Sequence, residues 1–177
     1  MTSMLLTATA RLCYEPICQQ HAAELEHALC DPRVYTFIDA PCPTVAGLHA
    51  SFARKEAGAP AQRSDERWLD YAVRHIESGE AIGRLEATII GRHAEVAYLF
   101  GPVFWGRGYA TEGLEWLHEL LSRSFGVAEF WATVALSNTR SIRLLERAGY
   151  GEAPSETWPR LTSYDPGDRV FRRSANA

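Results

Sequence analysis

The stretch from residue 97 to residue 125 constrains the fold more than any other part of the chain. It begins with four apolar residues, breaks at Gly101 and turns through residues 105–108, which read Trp-Gly-Arg-Gly. Apolar residues then recur at Ala110, Leu114, Leu117, Leu121 and Phe125. Because spacings of three and four residues place side chains on one face of an α-helix, the pattern predicts a strand that reverses through a glycine turn into a helix.

A glycine turn that leads into a helix is a common phosphate site. The first N–H groups of a helix have no intrahelical partner, and the helix dipole favours a negative charge there. Gly106 and Gly108 let a ligand approach the backbone closely, and Arg107 adds a positive charge. Two glycines alone are equally compatible with an ordinary tight turn. No Walker-type Gly-Lys-Ser/Thr follows, and Thr111 stands where the dinucleotide fingerprint needs a third glycine.

A second motif lies downstream, where residues 136–150 read LSNTRSIRLLERAGY. This segment predicts a loop, a short helix and a stop at Gly149. Together with WGRGYATEG at residues 105–113, it resembles the GNAT superfamily of acetyl-CoA-dependent N-acetyltransferases. The chain is most similar to the ribosomal-protein N-terminal acetyltransferase (Rim-type) branch, in which tryptophan at the position of Trp105 is usual. The likeness is strongest over residues 82–151 and extends back to about residue 10.

The periodicity of the chain predicts alternating strands and helices. Strands are expected at residues 8–14, 68–74, 81–90, 94–100, 129–135, 150–156 and 169–173. Helices are expected at residues 18–29, 44–56, 110–125 and 139–147. The short turn at Gly91 makes the two strands that flank it an antiparallel hairpin, and the helical crossover lets residues 129–135 pair in parallel with residues 94–100.

The expected fold is therefore α+β (mixed α/β), in one N-acetyltransferase domain over residues 1–177. The resemblance implies a GNAT-like central mixed, mostly antiparallel sheet with helices on both faces and a splayed parallel strand pair. A coenzyme would bind where the two parallel strands diverge, since ligands of open sheets favour such places.

The resemblance also implies which residues bind acetyl-CoA. The pyrophosphate is expected on the main chain of the turn and the first helical residues: Trp105, Gly106, Arg107, Gly108, Tyr109, Ala110 and Thr111. The amides of the pantetheine arm would pair with exposed backbone at Phe100 and Val103, as an added strand does. Asn138 would bind the arm or a water molecule, although asparagine is also a preferred N-cap, and the two roles can coexist.

Acetyl transfer requires a neutral amine and a proton for the leaving thiolate. The resemblance implies that Ser141 faces the thioester sulfur. The wider superfamily often uses a tyrosine acid and a glutamate base, but their positions hold Leu145 and Thr133 here. The remaining catalytic candidates are Glu95 and Tyr98 on the strand beside the coenzyme, and Glu95 is also readable as a solvated charge at a strand edge.

Other ionisable residues indicate no second chemistry. The four cysteines, Cys13, Cys18, Cys30 and Cys42, lack the spacing of a metal site and are expected to be reduced and mostly buried. The histidines His75, His93 and His118 are expected at the surface. Glu86, on the strand that pairs with the coenzyme strand, is a further candidate base.

Charge and hydropathy exclude several classes of protein. The formal net charge is −4, and no basic run is long enough to follow a nucleic-acid backbone. No apolar window approaches the length of a membrane span, and residues 1–10 lack the features of a secretory signal. A cytoplasmic location is expected.

The expected activity is transfer of an acetyl group from acetyl-CoA to a primary amine, by direct attack in a ternary complex and without a metal. Similarity to the Rim-type branch implies a protein or peptide N-terminal α-amine as acceptor. The alternatives are a small-molecule amine (an antibiotic, a polyamine or an amino acid) and a non-catalytic acyl-CoA-binding sensor. The acceptor pocket would be built by the first two helices, residues 57–65 and residues 152–168. A homodimer is the commonest closed assembly.

Overall fold

The computed structural model describes residues 8–175. The strands are β1 (Leu12–Pro16), β2 (Glu66–His75), β3 (Ala81–Ile90), β4 (His93–Phe100), β5 (Glu129–Val134), β6 (Gly151–Glu152) and β7 (Arg169–Ser174). The helices are α1 (His21–Glu24), α2 (Glu26–Leu29), α3 (Val45–Ala57), α4 (Tyr109–Phe125) and α5 (Thr139–Arg147). Short 3-10 turns join several of them, including Pro102–Phe104 between β4 and α4.

The strands form one sheet in the order β1-β2-β3-β4-β5-β7-β6. All neighbouring strands are antiparallel except β4 and β5, which run parallel. Their ladder covers only the pairs from His93 with Glu129 to Glu95 with Trp131. Beyond these pairs the two strands diverge, so the predicted mixed sheet with a splayed parallel pair is confirmed.

The central strand β4 separates two packed layers, because successive side chains of a strand point to opposite faces. Val96 packs with Leu114 of α4 in the larger core. Leu99 packs against the smaller core on the other face, which includes Leu25 and Phe52 of the α1–α3 layer. Even-numbered side chains of β4 therefore face α4, and odd-numbered ones face the α1–α3 layer.

Residues 153–168, which connect β6 and β7 and are called the strap below, lie on the same face as α1–α3. Trp158 of the strap packs against the buried Trp131 of β5. Further along, Arg160 forms ion pairs with Asp65 and Glu66 near the start of β2, each at 3.0 Å. The strap thus crosses this face of the sheet from β5 towards β2.

Most predicted elements are confirmed, including β2, β3, β4, α4 and α5. Thr44 caps α3, as its residue type predicted: its Oγ1 accepts the N–H of Gly47 at 3.2 Å. The first helix turn of α5 is capped in the same way by Asn138, whose Oδ1 accepts the N–H of Ser141 at 3.2 Å.

Three predictions are wrong in extent. The helix expected at residues 18–29 is two four-residue helices that meet at Leu25, and the N–H of Cys18 is bound by the side chain of His21 instead of entering a helix. The strand expected at residues 150–156 is only β6, since Pro154 has no N–H for a ladder. The first strand is β1 rather than residues 8–14. The absence of a signal was predicted for residues 1–10, of which residues 1–7 lie outside the described part.

Candidate active site

The glycine turn before α4 has the backbone conformation that the sequence suggested. Gly106 and Gly108 have φ values of 75° and 81°, in the left-handed region that favours glycine. Gly108 is the N-cap of α4, and no atom of the described residues lies within 4 Å of the position that a Cβ of Gly106 would occupy. The turn therefore leaves an open approach to its main chain.

The N-terminus of α4 provides donors for an anion. The first main-chain bond of the helix runs from Glu112 N to Gly108 O at 3.0 Å, so the N–H groups of Tyr109, Ala110 and Thr111 have no intrahelical acceptor. They point out of the helix start, where the helix dipole adds partial positive charge. A pyrophosphate group fits this cradle chemically.

Arg11, which is distant in the sequence, holds the glycine turn in place through hydrogen bonds. Its Nη1 donates to the carbonyl of Arg107 at 2.9 Å, and its Nε donates to Glu112 at 2.7 Å. Glu112 also accepts hydrogen bonds from the backbone of Arg11 and the hydroxyl of Thr9. Sequence reasoning missed Arg11, because no local pattern relates two residues that are 101 positions apart.

The gap between β4 and β5 exposes main-chain polar groups. Gly101 N donates to Ile82 O at 3.0 Å, which fixes the alternation of the β3–β4 hydrogen bonds. Gly101 and the odd-numbered residues of β4 thus direct their main-chain groups towards β3. The even-numbered residues Tyr98 and Phe100 direct theirs towards the gap. Apart from the carbonyl of Phe100, which accepts the indole N–H of Trp105, these groups can pair with an amide-bearing arm, as in strand addition.

Two exposed apolar side chains lie on the loops that follow the diverging strands. Val103 after β4 is 60% exposed, and Leu136 after β5 is 68% exposed. They offer apolar contact on both sides of the gap to the hydrocarbon part of a pantetheine arm.

Trp105 connects the turn to α5. Its indole Nε1 donates to the carbonyl of Phe100 at 2.7 Å, and the guanidinium of Arg140 lies 3.4 Å from its ring centroid. Stacking of this kind holds the cation in a fixed place. Burial lowers the pKa of Arg140. Arg140 was not among the sequence-predicted site residues, since the pattern of α5 shows only that it lies off the apolar face.

The structure brings two of the three predicted catalytic residues together. Tyr98 Oη and Ser141 Oγ are 2.6 Å apart, on the α4 side of the sheet. Burial raises the pKa of Tyr98 to about 12, an effect that the hydrogen bond with Ser141 partly offsets. The phenol is thus protonated at neutral pH and can donate a hydrogen bond. The Oδ1 of Asn138 positions Ser141 by accepting its N–H, and the side-chain NH₂ of Asn138 makes no hydrogen bond within residues 8–175.

Glu95, the third predicted catalytic residue, is not part of this group. Its side chain points to the opposite face and is 7% exposed, so the alternative of a solvated edge charge is wrong. Its carboxylate accepts hydrogen bonds from the N–H and hydroxyl of Thr162, both at 2.6 Å, and from the N–H and hydroxyl of Ser163, at 3.2 and 2.5 Å. These four donors occupy the acceptor sites of the two oxygens, so Glu95 anchors the strap and is poorly placed for proton transfer.

Glu86 belongs to a four-residue charge cluster on the same face. Lys55 Nζ lies 2.6 Å from Asp70 and 2.7 Å from Glu86, and Arg84 contacts both carboxylates. Burial alone would raise the pKa of Glu86, but Arg84 and Lys55 outweigh it and lower the pKa to about 2. Burial raises the pKa of Asp70. The contacts with Lys55 and Arg84 nevertheless pair both carboxylates of the cluster with cations.

The prediction that His118 lies at the surface is wrong. It is 5% exposed, stacks on Phe130 and lies between Tyr150 Oη at 2.6 Å and Arg173 Nη1 at 2.7 Å. Burial lowers its pKa to about 3, and the charge of Arg173 adds to this. Because Arg173 donates to Nδ1, the neutral ring carries its proton on Nε2 and donates to Tyr150. Position 118 lies four residues after Leu114 and three before Leu121, on the apolar side of α4, but its polar residue type led to the prediction of exposure. No local pattern indicates its partners, Tyr150 and Arg173.

The remaining ionisable residues and the helices were examined over residues 8–175 for a metal site and a membrane span. Within the described range, no group of three or more His, Cys, Asp or Glu side chains is arranged to hold a metal ion. The four cysteines are free thiols, as predicted, and each is of intermediate exposure. Among the helices in residues 8–175, none is long and apolar enough to cross a membrane.

Comparisons with known proteins agree with this geometry. A family model described as "Acetyltransferase (GNAT) domain" matches residues 11–151. By sequence, no curated protein matches the chain.

Solved acetyltransferase structures share the fold at low sequence identity. A GNAT-family acetyltransferase from Bacillus anthracis aligns with a TM-score of 0.78 and 14% identity over 97% of this chain and 99% of its own. Spermidine N-acetyltransferase from Vibrio cholerae, solved with CoA and spermine, aligns with a TM-score of 0.72 and 15% identity over 95% and 98%. Aminoglycoside acetyltransferase AAC(6')-Ib, solved with coenzyme A, aligns with a TM-score of 0.70 and 19% identity over 92% and 94%.

These neighbours support the fold, and the family model covers most of the chain. With the splayed β4–β5 pair and the glycine turn that begins α4, they lead to one conclusion: this chain belongs to the GNAT acetyltransferase family, whose members take the acetyl group from acetyl-CoA.

Proposed function

We propose that this acetyltransferase acetylates the N-terminal α-amine of a peptide or protein, by direct transfer from acetyl-CoA in a ternary complex. The observation that carries the proposal is the junction of the gap, the glycine turn and the Tyr98–Ser141 pair at one end of β4. The start of α4 offers donors for an anion, the end of β4 offers main-chain groups for an amide arm, and the contact between Tyr98 and Ser141 holds a proton beside them.

Residues of the turn and the strand would hold the coenzyme. The pyrophosphate would accept hydrogen bonds from main-chain groups of Gly106, Arg107, Gly108, Tyr109, Ala110 and Thr111. The pantetheine arm would lie along Phe100 and Val103, with Asn138 donating from its side-chain NH₂ group. Trp105 holds the turn against β4 through its bond to Phe100, and Arg140, stacked on Trp105, would place a cation beside the bound coenzyme.

Tyr98 and Ser141 would handle the proton of the leaving group. When the C–S bond breaks, a thiolate sulfur leaves and needs a hydrogen bond or a proton. Tyr98, whose pKa is raised to about 12, keeps its proton at neutral pH, and the 2.6 Å contact couples it to Ser141. The pair would stand in for the tyrosine that the family usually places at the position of Leu145.

Neither candidate carboxylate in this region is suited to accept the proton of the amine. Glu95 is saturated by strap donors, and Glu86, with a pKa lowered to about 2, is a weak base. We therefore infer that water removes this proton and that only the unprotonated fraction of the acceptor reacts.

The charge cluster favours a single α-amine over a polycation. A polyamine would require several unpaired carboxylates, but Asp70 and Glu86 are already paired with Lys55 and Arg84. Glu86 lies opposite Ala97 on β4, one residue from Tyr98, so an acceptor reaching the gap from this face would pass over the cluster. Similarity to the Rim-type branch supports the same choice.

A small-molecule amine is the second candidate. Its support comes from the structural neighbours, one solved with spermine and one an aminoglycoside acetyltransferase. The exposed acidic residues Asp165 and Glu156 of the strap are negative charges that such an acceptor could contact.

The test is a thiol-release assay with acetyl-CoA at several pH values. Three acceptor sets are compared: short peptides with free N-termini, spermidine with spermine, and an aminoglycoside. With peptides, we expect the rate to rise with pH and level off near the α-amine pKa of about 8, whereas an amine of pKa about 10 would give a rate that still rises at a pH of about 9. Turnover of the polyamines or the aminoglycoside alone would overturn the α-amine proposal.

A further inference from the structure

The two carboxylate oxygens of Glu86, in the charge cluster on the α1–α3 face, have different surroundings. Oε2 accepts hydrogen bonds from both cations of the cluster, from Lys55 Nζ at 2.7 Å and from Arg84 Nη1. Within residues 8–175, no group donates to Oε1, and the side chain of Glu86 is 31% exposed. We infer that Oε1 of Glu86 accepts a hydrogen bond from the amine of the acceptor and so positions it for transfer. This inference rests on the proposed direct transfer to a primary amine.

Glu86 lies on the acceptor face, close to the gap between β4 and β5. Its ladder partner on β4 is Ala97, the residue before Tyr98. Partners on neighbouring strands are about 5 Å apart, and their side chains lie on the same face of the sheet. The β4–β5 ladder ends at Glu95, so Ala97 is already beside the gap. The carboxylate of Glu86 thus lies one strand away from the place where an amine would meet the thioester.

Two hydrogen bonds at Oε2 fix the direction of Oε1. Lys55 reaches Oε2 from α3, and Arg84 reaches it from the same strand, two residues earlier. Because both cations bind one oxygen, the other oxygen is directed away from them. Binding to an oxygen held in this way costs less conformational entropy than binding to a mobile glutamate.

The cluster offers one acceptor position to a substrate rather than several. Asp70 contacts the same two cations through Oδ1, but its side chain is only 4% exposed. The exposed anionic oxygen of the cluster is therefore that of Glu86, which suits one N–H group of one amine. An acceptor with several ammonium groups would find no second oxygen of the cluster to bind.

Glu86 would bind the amine without taking its proton. Arg84 and Lys55 lower its pKa to about 2, so the carboxylate is ionised at neutral pH and can only accept hydrogen bonds. It can accept from the ammonium form and, after water has removed a proton, from the neutral amine. The nitrogen is thus held in one place while its protonation state changes.

The experiment compares an acceptor with its desamino analogue on the whole protein saturated with coenzyme A. The acceptor is the peptide or amine with the fastest turnover in the thiol-release assay, and the analogue has a hydrogen in place of the reactive amine. Isothermal titration calorimetry measures both affinities. The acceptor should bind the unaltered protein about tenfold more tightly, since the analogue lacks a hydrogen bond to a charged group. Equal affinity would overturn the inference.

Two variants test whether Glu86 causes this preference. In Glu86→Gln the cations still need an acceptor, so the amide oxygen should face them and the NH₂ group should replace Oε1. The preference for the amine should then disappear, while the affinity for coenzyme A is unchanged. Asp70→Asn is the matched control, because it removes a carboxylate from the same two cations and leaves Oε1 in place. An unchanged preference in Glu86→Gln, or an equal loss in Asp70→Asn, would remove Glu86 from amine binding.

Failure of this inference is distinguishable from failure of the proposed function. Turnover of a polyamine or an aminoglycoside alone overturns the α-amine proposal, and the same comparison is then made with that amine. Turnover of peptides with no effect of Glu86→Gln on the preference would keep the proposed function and overturn the role of Glu86. The measurement on the unaltered protein tests the inference even if a variant does not fold.

Discussion

The proposed coenzyme side and the proposed acceptor side of this enzyme are built from different kinds of chemical group. The coenzyme side (residues 98–111) presents main-chain groups from one continuous segment, held by glycine conformations and a helix start. The acceptor side (the face carrying α1–α3 and the strap) presents charged side chains brought from α3, β2, β3 and β4. The groups of the coenzyme side are close together in the sequence, whereas those of the acceptor side come from distant parts of the chain.

This difference separates two properties of the enzyme. Main-chain donors bind phosphate whatever most neighbouring side chains are, so coenzyme binding should tolerate most sequence changes outside the glycines and the residues, such as Arg11, that hold the turn. A paired charge cluster depends on every member, because removal of one partner leaves a buried charge uncompensated. Acceptor choice can therefore change while coenzyme chemistry stays the same.

The largest expected effect comes from Gly108→Glu on the coenzyme side. The left-handed φ of 81° disfavours any side chain, and the added carboxylate would repel phosphate, so affinity for coenzyme A should fall about 100-fold or more. Isothermal titration calorimetry measures this, and thermal unfolding should remain cooperative. Gly126→Glu is the matched control, since Gly126 follows the other end of α4 with a φ of 66°. Equal affinity in both variants would remove the pyrophosphate from this turn.

Tyr98→Phe should reduce turnover rather than binding. Loss of a proton donor typically costs on the order of 100-fold, so kcat should fall about that much while the dissociation constant for coenzyme A is unchanged. Because Tyr98 and Ser141 act as one unit, adding Ser141→Ala to Tyr98→Phe should cost little more. Tyr164→Phe on the exposed part of the strap is the control. Full turnover in Tyr98→Phe would end its assignment as the proton donor.

Arg11→Met should weaken coenzyme binding about tenfold with kcat nearly unchanged. The substitution removes the bonds that hold Arg107 and Glu112, and hydrogen bonds to charged groups contribute about 1.5 kcal/mol or more. Arg123→Met, on the same helix as Glu112 and in an exposed pair with Glu119, is the control and should have almost no effect. Equal affinity of the two variants for coenzyme A would show that Arg11 does not hold the glycine turn in its binding conformation.

Glu95→Gln should have the smallest effect and should act on the acceptor side alone. The amide NH₂ cannot accept from Thr162 or Ser163, so the strap loosens and KM for the acceptor should rise about threefold. Glu77→Gln, which changes an exposed carboxylate in the turn between β2 and β3, is the control. Coenzyme affinity and the shape of the pH profile should not change. A loss of kcat on the order of 100-fold would instead mark Glu95 as a base.

Local signals in the sequence predict most of the backbone of the coenzyme side. The paired glycines predict the turn, the four-three spacing predicts α4, and the residue type of Asn138 predicts the N-cap that its contact with Ser141 confirms. The acceptor side is harder, because a strand pattern shows which residues share a face but not what lies across from them. Glu95 in a strand is compatible with a base, and only its contacts with Thr162 and Ser163 reveal an anchor.

The sequence by itself determined the order of elements, the glycine turn and the membership of the two motifs in one family. These features depend on backbone conformation and on periods of about two and 3.6 residues, which neighbouring residues control. Only the tertiary structure decided that Arg11 supports the turn, that His118 is buried and neutral, and that Tyr98 meets Ser141. These contacts join residues 32 to 96 positions apart, and their free energy depends on burial and charge pairing that exist only once the sheet has formed.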